Sequence, residues 1–475
     1  MVSKTADRKT AIEKVDQKRK KFTHSLVLFH RALRLEDNTA LIAAQTNSNV
    51  ISCVFTLTPT QIDQNEYKSE NALQFMHESL VELDDDLNQS KGHLNLFYGE
   101  PSEIVERTIE ENAIDAVFAN RDYTPYAIKR SKDLKAICKA HDVAWHEYDD
   151  YLLIKPENIK TQKGTPYKVF TPFYKKAIEQ IIPSEQPMGP LNLQQTALKG
   201  ANSLEEMRKY FPAENENLAI HGGRSRALAI LNNMEPFNNY PEERDIPALN
   251  ATTHLSAHLK FGTISIREAY HAIVAMFGPM AELLRQLFWR DFFTHIGFHF
   301  PHVFQGAFRE KYNDLKWVTD HNLFDKWCNG KTGFPIIDAG MRELNATGYM
   351  HNRVRMLVSS FLVKDLHINW QWGERYFARQ LVDYDPCVNN GNWQWAASTG
   401  CDAQPYFRIF NPWSQQKKND PECSYIKKWI PELREYTPKQ IHRIKKTPLT
   451  DSAYPKPICD HTKEAARSKL MFKGI

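Results

Sequence analysis

A regular alternation of short apolar runs and helical stretches between Ser25 and Ile154 constrains the fold more than any other feature. Five runs predict strands: SLVLFHR, VISCVFTL, HLNLFYGE, AVFANRDY and WHEYDDYLLI. Between them, SENALQFMHESLVELDDDL and PSEIVERTIEENA predict helices, the second with proline at its first position. This pattern predicts an open parallel sheet of Rossmann-like type, which binds ligands at the carboxyl ends of its strands. Neither GxGxxG nor GxxxxGK[ST] occurs, so the sequence supports no dinucleotide fingerprint and no Walker loop.

The composition changes twice after this alternation. Residues 156–225 are rich in Pro, Gln and Lys and predict a long connector over the surface. From residue 226 to 475 helical periodicity dominates, and nine of the ten tryptophans follow residue 280, which predicts an all-α domain with an aromatic core. We therefore divide the chain into a basic leader (1–24), an α/β domain (25–155), the connector (156–225) and a helical domain (226–475).

The bulk properties exclude several classes of protein. A charged fraction of 25% and a hydrophobic fraction of 42% are typical of globular proteins outside membranes. No apolar run approaches the roughly 18 residues of a membrane-spanning helix, and the start lacks a signal peptide's apolar region. Seven cysteines without a CxxC pair indicate reduced thiols in the cytoplasm and argue against structural zinc.

The charge is concentrated in the leader. Residues 1–24 hold eight Lys/Arg and three Asp/Glu, a net of +5, so a chain of net +4 leaves −1 for the rest. Any nucleic-acid surface must then be a local patch. The KRKK cluster of the leader predicts a mobile tail, with a nuclear address or a loose DNA contact as alternatives.

One stretch, from Asp383 to Trp413, is unusually polar for a helical domain. It opens with two carboxylates, three asparagines and two tryptophans within thirteen residues. Buried amides and carboxylates need hydrogen-bond partners, so a polar ligand site, a metal site and a capped loop between core helices are all open.

Two predicted helices each carry an amide, a cation and a large apolar group on one face. In AELLRQLFWRDFFTHI the three follow an i, i+3, i+4 spacing, and the same spacing occurs in YMHNRVRMLVSSFLVKDL. The side chains are Gln286, Trp289 and Arg290 on the first helix and Asn352, Arg355 and Met356 on the second. They predict either one shared pocket or ordinary interhelical ion pairs formed by the arginines.

Several long motifs in this order resemble the photolyase/cryptochrome flavoprotein family, and in particular class I cyclobutane pyrimidine dimer photolyases. They are RALRLEDNTAL, YPEERDIPALNATTHLSAHLKFGTIS, LFWRDFF, GYMHNRVRMLVSSFLVKDLHINW, DYDPCVNNGNWQWAASTGCDAQPYFRIFNP and YPKPICDHTKEAARSKLMF. The resemblance covers the chain from Ser25 onward. It implies an α/β antenna domain and a helical domain that holds FAD.

The resemblance also implies which residues bind FAD. A segment before a predicted helix and a tyrosine upstream would hold the phosphates: Tyr240, Thr252, Thr253, His254, Leu255 and Ser256. A second group would line the isoalloxazine or the rest of the cofactor: Arg290, Asn352, Arg355, Asp383, Tyr384 and Asp385. Within it, Arg355 would pair with Asp383 and Asp385 would accept from the flavin imide N–H. Asn389 would lie next to N5, and a neutral amide there favours the reduced flavin and repair over signalling.

The resemblance assigns further residues to electron transfer and to the lesion. Trp393, Trp370 and Trp317 would carry electrons between flavin and surface. An apolar clamp would hold a flipped dimer, with two arginines on the flanking phosphates: Met356, Trp289 and Trp395, then Arg244 and Arg353. Photolyases of the (6-4) type have histidines where Asn352 and Met356 stand in this sequence. His351 is one residue away from that pattern and is expected to be a packing residue. The expected substrate is therefore a cyclobutane dimer.

Two departures from the family pattern bear on function. Gln286 stands where bacterial cyclobutane-dimer photolyases have Glu, and because Gln cannot supply a proton we expect weaker repair. Ala127, Ile128 and Phe304–Gln305 replace folate-contacting residues, and Ala32 replaces an Asp, so the second antenna chromophore is left open between methenyltetrahydrofolate, deazaflavin and flavin.

The expected function is light-dependent repair of a cyclobutane pyrimidine dimer in UV-damaged DNA by excited reduced FAD. The alternative is a cryptochrome-type blue-light receptor without repair. A third reading, a generic FAD electron-transfer protein, would not require Arg244, Arg353 and the tryptophan clamp together. Because signalling members carry a long extension and this sequence ends soon after the terminal motif, we expect the enzyme. We further expect a monomer that is cytoplasmic and DNA-associated, or nuclear in a eukaryote.

Overall fold

The computed structural model describes residues 20–63, 65–447, 449 and 452–475. Five parallel strands form one sheet in the order β3-β2-β1-β4-β5. Their bounds are β1 Phe22–Phe29, β2 Ser48–Leu57, β3 Leu94–Tyr98, β4 Ala116–Asn120 and β5 Ala144–Tyr148. All five predicted strands are confirmed. The first begins three residues earlier than predicted, so the last residues assigned to the leader belong to the sheet, while residues 1–19 lie outside the described part of the chain.

The sheet is covered on both faces, as the alternation predicts. The α/β helices are α1 Thr39–Asn47, α2 Pro59–Ile62, α3 Glu70–Gln89, α4 Pro101–Asn112 and α5 Pro125–Ala140. Alternate residues of β1 point to opposite faces: Val27 joins the cluster that contains Phe75 of α3, and Leu26 joins the cluster that contains Ile104 of α4. Because both faces are buried, the strand reads as an unbroken apolar run.

The region predicted as a connector contributes to both neighbouring cores. It contains α6 Phe170–Ala177 and α7 Leu204–Met207. Phe170 and Phe173 of α6 are each 1% exposed and belong to an apolar cluster of the helical domain. Further along, Ile51 of β2 exchanges backbone hydrogen bonds of 2.8 Å with Asn192 and Gln194. A surface connector therefore describes only part of residues 156–225.

The helical domain follows from Arg224 to the C-terminus. Its helices are α8 Arg224–Leu231, α9 Tyr240–Glu243, α10 Ser256–Phe261, α11 Ile266–Phe277, α12 Glu282–His299, α13 His321–Cys328, α14 Pro335–Thr347, α15 Asn352–Lys364, α16 Trp370–Gln380, α17 Pro386–Ala397, α18 Pro412–Asn419, α19 Ser424–Trp429, α20 Pro438–Ile441 and α21 His461–Lys473. Among the described residues, no helix is both long and apolar enough to span a membrane.

A buried ionic network joins the two domains near the RALRLEDN motif. The Asp150 carboxylate binds Arg34 at 2.7 Å and Arg267 of α11 at 2.8 Å, and Arg267 also binds Asp37 at 2.8 Å. Although burial disfavours the charged carboxylate, the two guanidinium groups lower the pKa of Asp150 to about 2. These pairs fix the α/β domain against the helices that carry the site.

Candidate active site

The polar stretch at Asp383 is the start of a helix rather than a loop. Asp385 is the N-cap of α17, and its Oδ1 accepts from the backbone N–H groups of Cys387 at 2.9 Å and Val388 at 3.0 Å. Of the three explanations that composition left open, a capping function is thus present alongside any ligand function.

The other oxygen of Asp385 faces the α/β domain. Its Oδ2 accepts from Arg31 at 2.7 Å and from the Tyr151 hydroxyl at 2.5 Å. Burial alone would raise the pKa of Asp385, but these donors and the Val388 N–H lower that pKa to about 2. A carboxylate offers about four lone-pair positions. Four donors contact its two oxygens, so Asp385 acts as a helix cap and a bridge between the domains, and its contact with the flavin imide remains a prediction.

The predicted Arg355–Asp383 pair is present. The guanidinium donates to both carboxylate oxygens, at 3.1 and 3.0 Å, in the bidentate arrangement that is strongest for this pair. The hydroxyl of Ser256, at the start of α10, donates to Asp383 Oδ2 at 2.7 Å. Residues predicted for the isoalloxazine and for the phosphates therefore meet at one carboxylate.

The segment Thr252–Ser256 has the geometry of a polar cradle. His254 has a positive φ of 55°, and its Nδ1 is buried without a hydrogen-bond partner, while Nε2 contacts Asn250 at 2.9 Å. Thr252 hydrogen-bonds to the hydroxyl of Tyr349. Because α10 has only six residues, the predicted binding of phosphate here would depend on hydroxyl and backbone donors more than on a helix dipole. Tyr240 belongs to the apolar cluster of the helical domain that also contains Phe170 and Leu255, and it hydrogen-bonds to Arg244.

Asn389 lies buried on α17, one helical turn after the cap. Its Nδ2 donates to the backbone oxygen of Glu374 at 3.1 Å and to the Glu374 side chain at 3.0 Å. Burial raises the pKa of Glu374 to about 7, against the opposing effect of Asn389 and its other neighbours. The ring of Tyr384, also on the cofactor list, stacks on Tyr67 of the α/β domain at 6.1 Å.

Arg290 points to the domain interface. It donates to the carbonyl oxygens of Tyr151 at 2.8 Å and Leu259 at 3.1 Å, and its guanidinium lies 3.8 Å from the centre of the Tyr151 ring. Its hydrogen bonds explain its place in the fold, and a contact to the cofactor remains a prediction.

The residues predicted for the lesion lie on α12, α15 and α17, and α17 packs against both of the other helices. Gln286 donates to the Glu282 carbonyl at 3.1 Å, and Trp289 stacks face to face on Phe170 with ring centres 3.6 Å apart. Asn352 is exposed, while Met356 and Trp395 are half-buried. His351 is the N-cap of α15, accepting from the Arg353 N–H at 3.2 Å, which explains its burial more specifically than packing alone.

Both arginines predicted to hold DNA phosphates already have carboxylate partners. Arg244 binds Glu282 at 2.6 Å, and Arg353 binds Asp245. Their side chains are partly exposed, so solvent can reach both pairs. A phosphate would have to displace these carboxylates, so the contact of either arginine with DNA remains a prediction.

The three tryptophans of the predicted electron path differ in burial. Trp393 is 2% exposed and Trp370 4%, while Trp317 is half-buried and packs on Phe472 with ring centres 6.2 Å apart. Val318 and Ile368 form a parallel β-bridge, so the segment that contains Trp317 runs beside the segment that leads to Trp370. At the inner end, a Cβ at Gly373 would lie 2.2 Å from Trp393, so the indole position requires glycine there.

Sequence reasoning missed several residues that complete the site. Arg31, Tyr151 and Tyr67 reach it from the α/β domain, and Glu374 and Trp327 from α16 and α13. Glu374 stands in WQWGERYF, where an acidic residue in an amphipathic helix is usually solvent-facing. The partners of Asp385 are more than 230 positions away, and local pattern carries no signal for such contacts.

The chain has an α/β domain followed by a helical domain, in which paired polar side chains such as Arg355–Asp383 and Asn389–Glu374 gather around α17. This arrangement is that of a two-domain flavin-binding protein. A family model described as DNA photolyase matches residues 25–190, and one described as FAD binding domain of DNA photolyase matches residues 283–474. The chain belongs to the photolyase/cryptochrome family, and FAD is its cofactor.

Named relatives match over nearly the whole length. A deoxyribodipyrimidine photo-lyase of Vibrio cholerae is 35% identical over 468 residues, covering 94% of this chain and 99% of the relative. An archaeal photolyase structure from Sulfolobus tokodaii with two FAD molecules is 40% identical, with a TM-score of 0.87 and coverage of 95% and 100%. A class III photolyase structure from Agrobacterium tumefaciens is 31% identical, with a TM-score of 0.89 and coverage of 97% and 99%.

The residues present fit FAD. Nε2 of His254 donates to Asn250, so its unpartnered Nδ1 is an acceptor. The exposed oxygen of Ser256, whose proton goes to Asp383, can also accept, and both acceptors suit the hydroxyls of a ribose or ribityl chain. Asp383 keeps an unused acceptor position beside its bidentate arginine, and the oxygen of Asn389 is left over because its nitrogen is committed to Glu374. These polar groups, in which the charges of Arg355 and Asp383 cancel, suit a flavin ring and its ribityl chain.

Proposed function

We propose that the chain is a deoxyribodipyrimidine photo-lyase that splits cyclobutane pyrimidine dimers in UV-damaged DNA under light. The observation that supports this most is the convergence at α17: one helix carries Asp385, Asn389, Trp393 and Trp395. Cofactor, electron supply and lesion contacts would then be held by a single rigid element, which favours a fixed geometry for electron transfer.

FAD, when bound and reduced, supplies the electron that light drives into the dimer and takes it back after the ring has opened. The protein's part is to hold and shield it. Arg355 and Asp383 would neutralise each other beside the flavin ring, the Thr252–Ser256 segment would hold the phosphates, and Asn389 would turn its amide oxygen towards N5.

Trp393, Trp370 and Trp317 would restore the reduced cofactor after accidental oxidation. The rise in exposure from the first to the third supports this order, because the last donor must reach an external reductant. Indole rings fixed by packing, such as Trp393 over Gly373, keep the distances for electron hopping constant.

Met356 and Trp395 would form the apolar wall for the flipped dimer, with Gln286 donating to a pyrimidine carbonyl. Flipping a damaged pair is easier because its stacking is already weakened. Trp289 would form part of the same apolar surface, and its stacking on Phe170 would keep the indole ring rigid. Arg244 and Arg353 would exchange their carboxylate partners for the flanking phosphates.

A second chromophore would bind where the strands of the sheet end against the helical domain. His30 Nδ1 and Arg130 Nε are buried there without partners. Arg31 binds Asp122 at 3.1 Å, and burial together with Arg31 lowers the pKa of Lys260 to about 7. The unpartnered Nε–H of Arg130 would donate to an oxygen of this chromophore.

The substrate assignment is tested by competition between lesions. Oligonucleotides carrying one cyclobutane dimer or one (6-4) product, single- or double-stranded, are illuminated with the reduced protein, and products are separated by chromatography. We expect loss of the cyclobutane dimer only. Repair of the (6-4) product instead would overturn the substrate class, and binding without repair of either would favour the cryptochrome-type receptor. The absorption spectrum of the same preparation identifies any second chromophore that co-purifies.

A further inference from the structure

The amide of Asn389 is held in one orientation by Glu374 on α16. Two acceptors, the backbone oxygen at 3.1 Å and the side-chain oxygen at 3.0 Å, face the same Asn389 nitrogen. Because both acceptors require a donor, the NH2 end must face α16 and the oxygen must face away from it. Glu374 is 5% exposed and Asn389 9%, so solvent does not compete for these bonds.

Glu374 is the inner end of a chain of polar groups that leads out of the helical domain. Tyr67, on the segment before α3, hydrogen-bonds to its carboxyl group. Arg375, next along α16, is attracted to the same carboxyl and pairs with Glu66 at 3.3 Å. The hydroxyl-bearing ring of Tyr384 stacks on Tyr67. These are the titratable and charged groups that face Glu374 from the surrounding elements.

The environment leaves the charge of Glu374 finely balanced. Burial favours the neutral acid, whereas the hydrogen bonds from Asn389 and Tyr67 and the nearby Arg375 favour the carboxylate. The outcome is a pKa of about 7, so the group changes charge within the physiological range. No function assigned above to the catalytic site uses this carboxyl.

We propose that Glu374 is a positioning residue that tunes the reduction potential of the bound FAD, through the orientation of Asn389 and through its own charge. This rests on the proposed placement of Asn389 beside N5. A carboxylate one side chain away from the ring opposes the uptake of an electron, and the neutral acid does not. By linkage, protonation of Glu374 favours reduction, and reduction favours protonation of Glu374 by the same factor.

The proposal is tested by redox titration of the FAD-loaded protein at several pH values. Glu374→Gln keeps the shape and the acceptor for Asn389 but has no charge to lose. The potentials of wild type and variant should agree near pH 5.5 and diverge as pH rises, with the wild type at the lower potential. At about pH 8.5 we expect a difference of at least about tenfold in the reduction equilibrium, or 59 mV for a one-electron couple.

A second variant moves the pH at which the divergence begins. Tyr67→Phe removes a hydrogen bond that favours the carboxylate, so the pKa of Glu374 rises and the fall in potential should begin at higher pH. A purely structural Glu374 would not produce this displacement. Because Tyr67→Phe leaves Glu374 itself in place, it tests the proposal even when Glu374→Gln does not fold.

The control is Asp365→Asn, at the far end of α15. Burial raises the pKa of Asp365 to about 6, and its partner is His461 of α21. This variant should leave the FAD potential and its pH dependence unchanged. Coincident titrations for wild type and Glu374→Gln would overturn the proposal. A constant offset at all pH values would restrict the effect to the orientation of Asn389 and overturn the role of the charge. The potential is read without DNA, so a failure of repair would leave this result intact.

Discussion

Replacing Asp385 by Asn should destabilise the fold and remove part of its acid sensitivity. The folded carboxyl has a pKa of about 2 against an ordinary value near 3.8. A difference of about 1.8 units corresponds to roughly 2.4 kcal/mol of stability at neutral pH. Asn keeps a capping oxygen but leaves the partly buried Arg31 with one carboxylate fewer, so we expect a loss of about 2–4 kcal/mol.

The sign of the pH effect follows from the direction of the shift. A carboxyl whose pKa is lower in the folded state stabilises the protein above its unfolded pKa and loses that contribution as pH falls towards the folded value. Wild type should therefore lose about 2.4 kcal/mol through Asp385 between roughly pH 5 and pH 2. Asp385→Asn should lack this component and start from the lower stability.

Urea denaturation of the FAD-loaded protein, followed by tryptophan fluorescence at several pH values, measures both effects. A double-mutant cycle with Arg31→Gln isolates the pair, with an expected coupling energy of about 1–3 kcal/mol. A stability within about 0.5 kcal/mol of wild type at neutral pH would refute the account of Asp385 as cap and domain bridge. So would the same acid dependence in wild type and variant.

Three further predictions concern the proposed activity. Trp393→Phe should slow photoreduction of oxidised FAD, measured by flash spectroscopy, yet leave repair by pre-reduced protein largely intact; loss of both would mean that Trp393 mainly supports the fold. Gln286→Glu should raise the repair yield per absorbed photon, and an unchanged yield would count against a role for that carboxyl. Arg353→Gln should weaken DNA binding across sequences and reduce the log–log salt slope of the affinity by about 0.9, since one phosphate contact is lost; an unchanged slope would place Arg353 outside the DNA contact.

The architecture of the α/β domain could be predicted because its signals are local. Each strand is an apolar run bounded by turn residues, and α4 begins at the predicted Pro101. The start of β1 at Phe22 was missed because Thr23 and His24 interrupt the apolar pattern. The burial of α6 was missed because Phe170 gains its partner, Trp289, only in the folded chain.

Contacts in the site could be predicted where the family motifs contain both partners. They could not be predicted where a residue's function depends on a partner far away in the sequence. Arg355 and Asp383 meet as expected. The function of Asp385 depends on Arg31, and the commitments of Arg244 and Arg353 depend on acidic residues that no spacing rule connects to them. Glu374 was missed for the same reason, because its position in an amphipathic helix gives no sign of the amide opposite.

The measurement that tests the central claim most directly is dimer splitting by one preparation in three states. FAD-loaded protein is mixed with a cyclobutane-dimer oligonucleotide and kept reduced under blue light, reduced in the dark, or oxidised under the same light with photoreduction prevented. We predict intact pyrimidines only in the first sample. Splitting in the dark, or none with reduced FAD under light, would contradict the account.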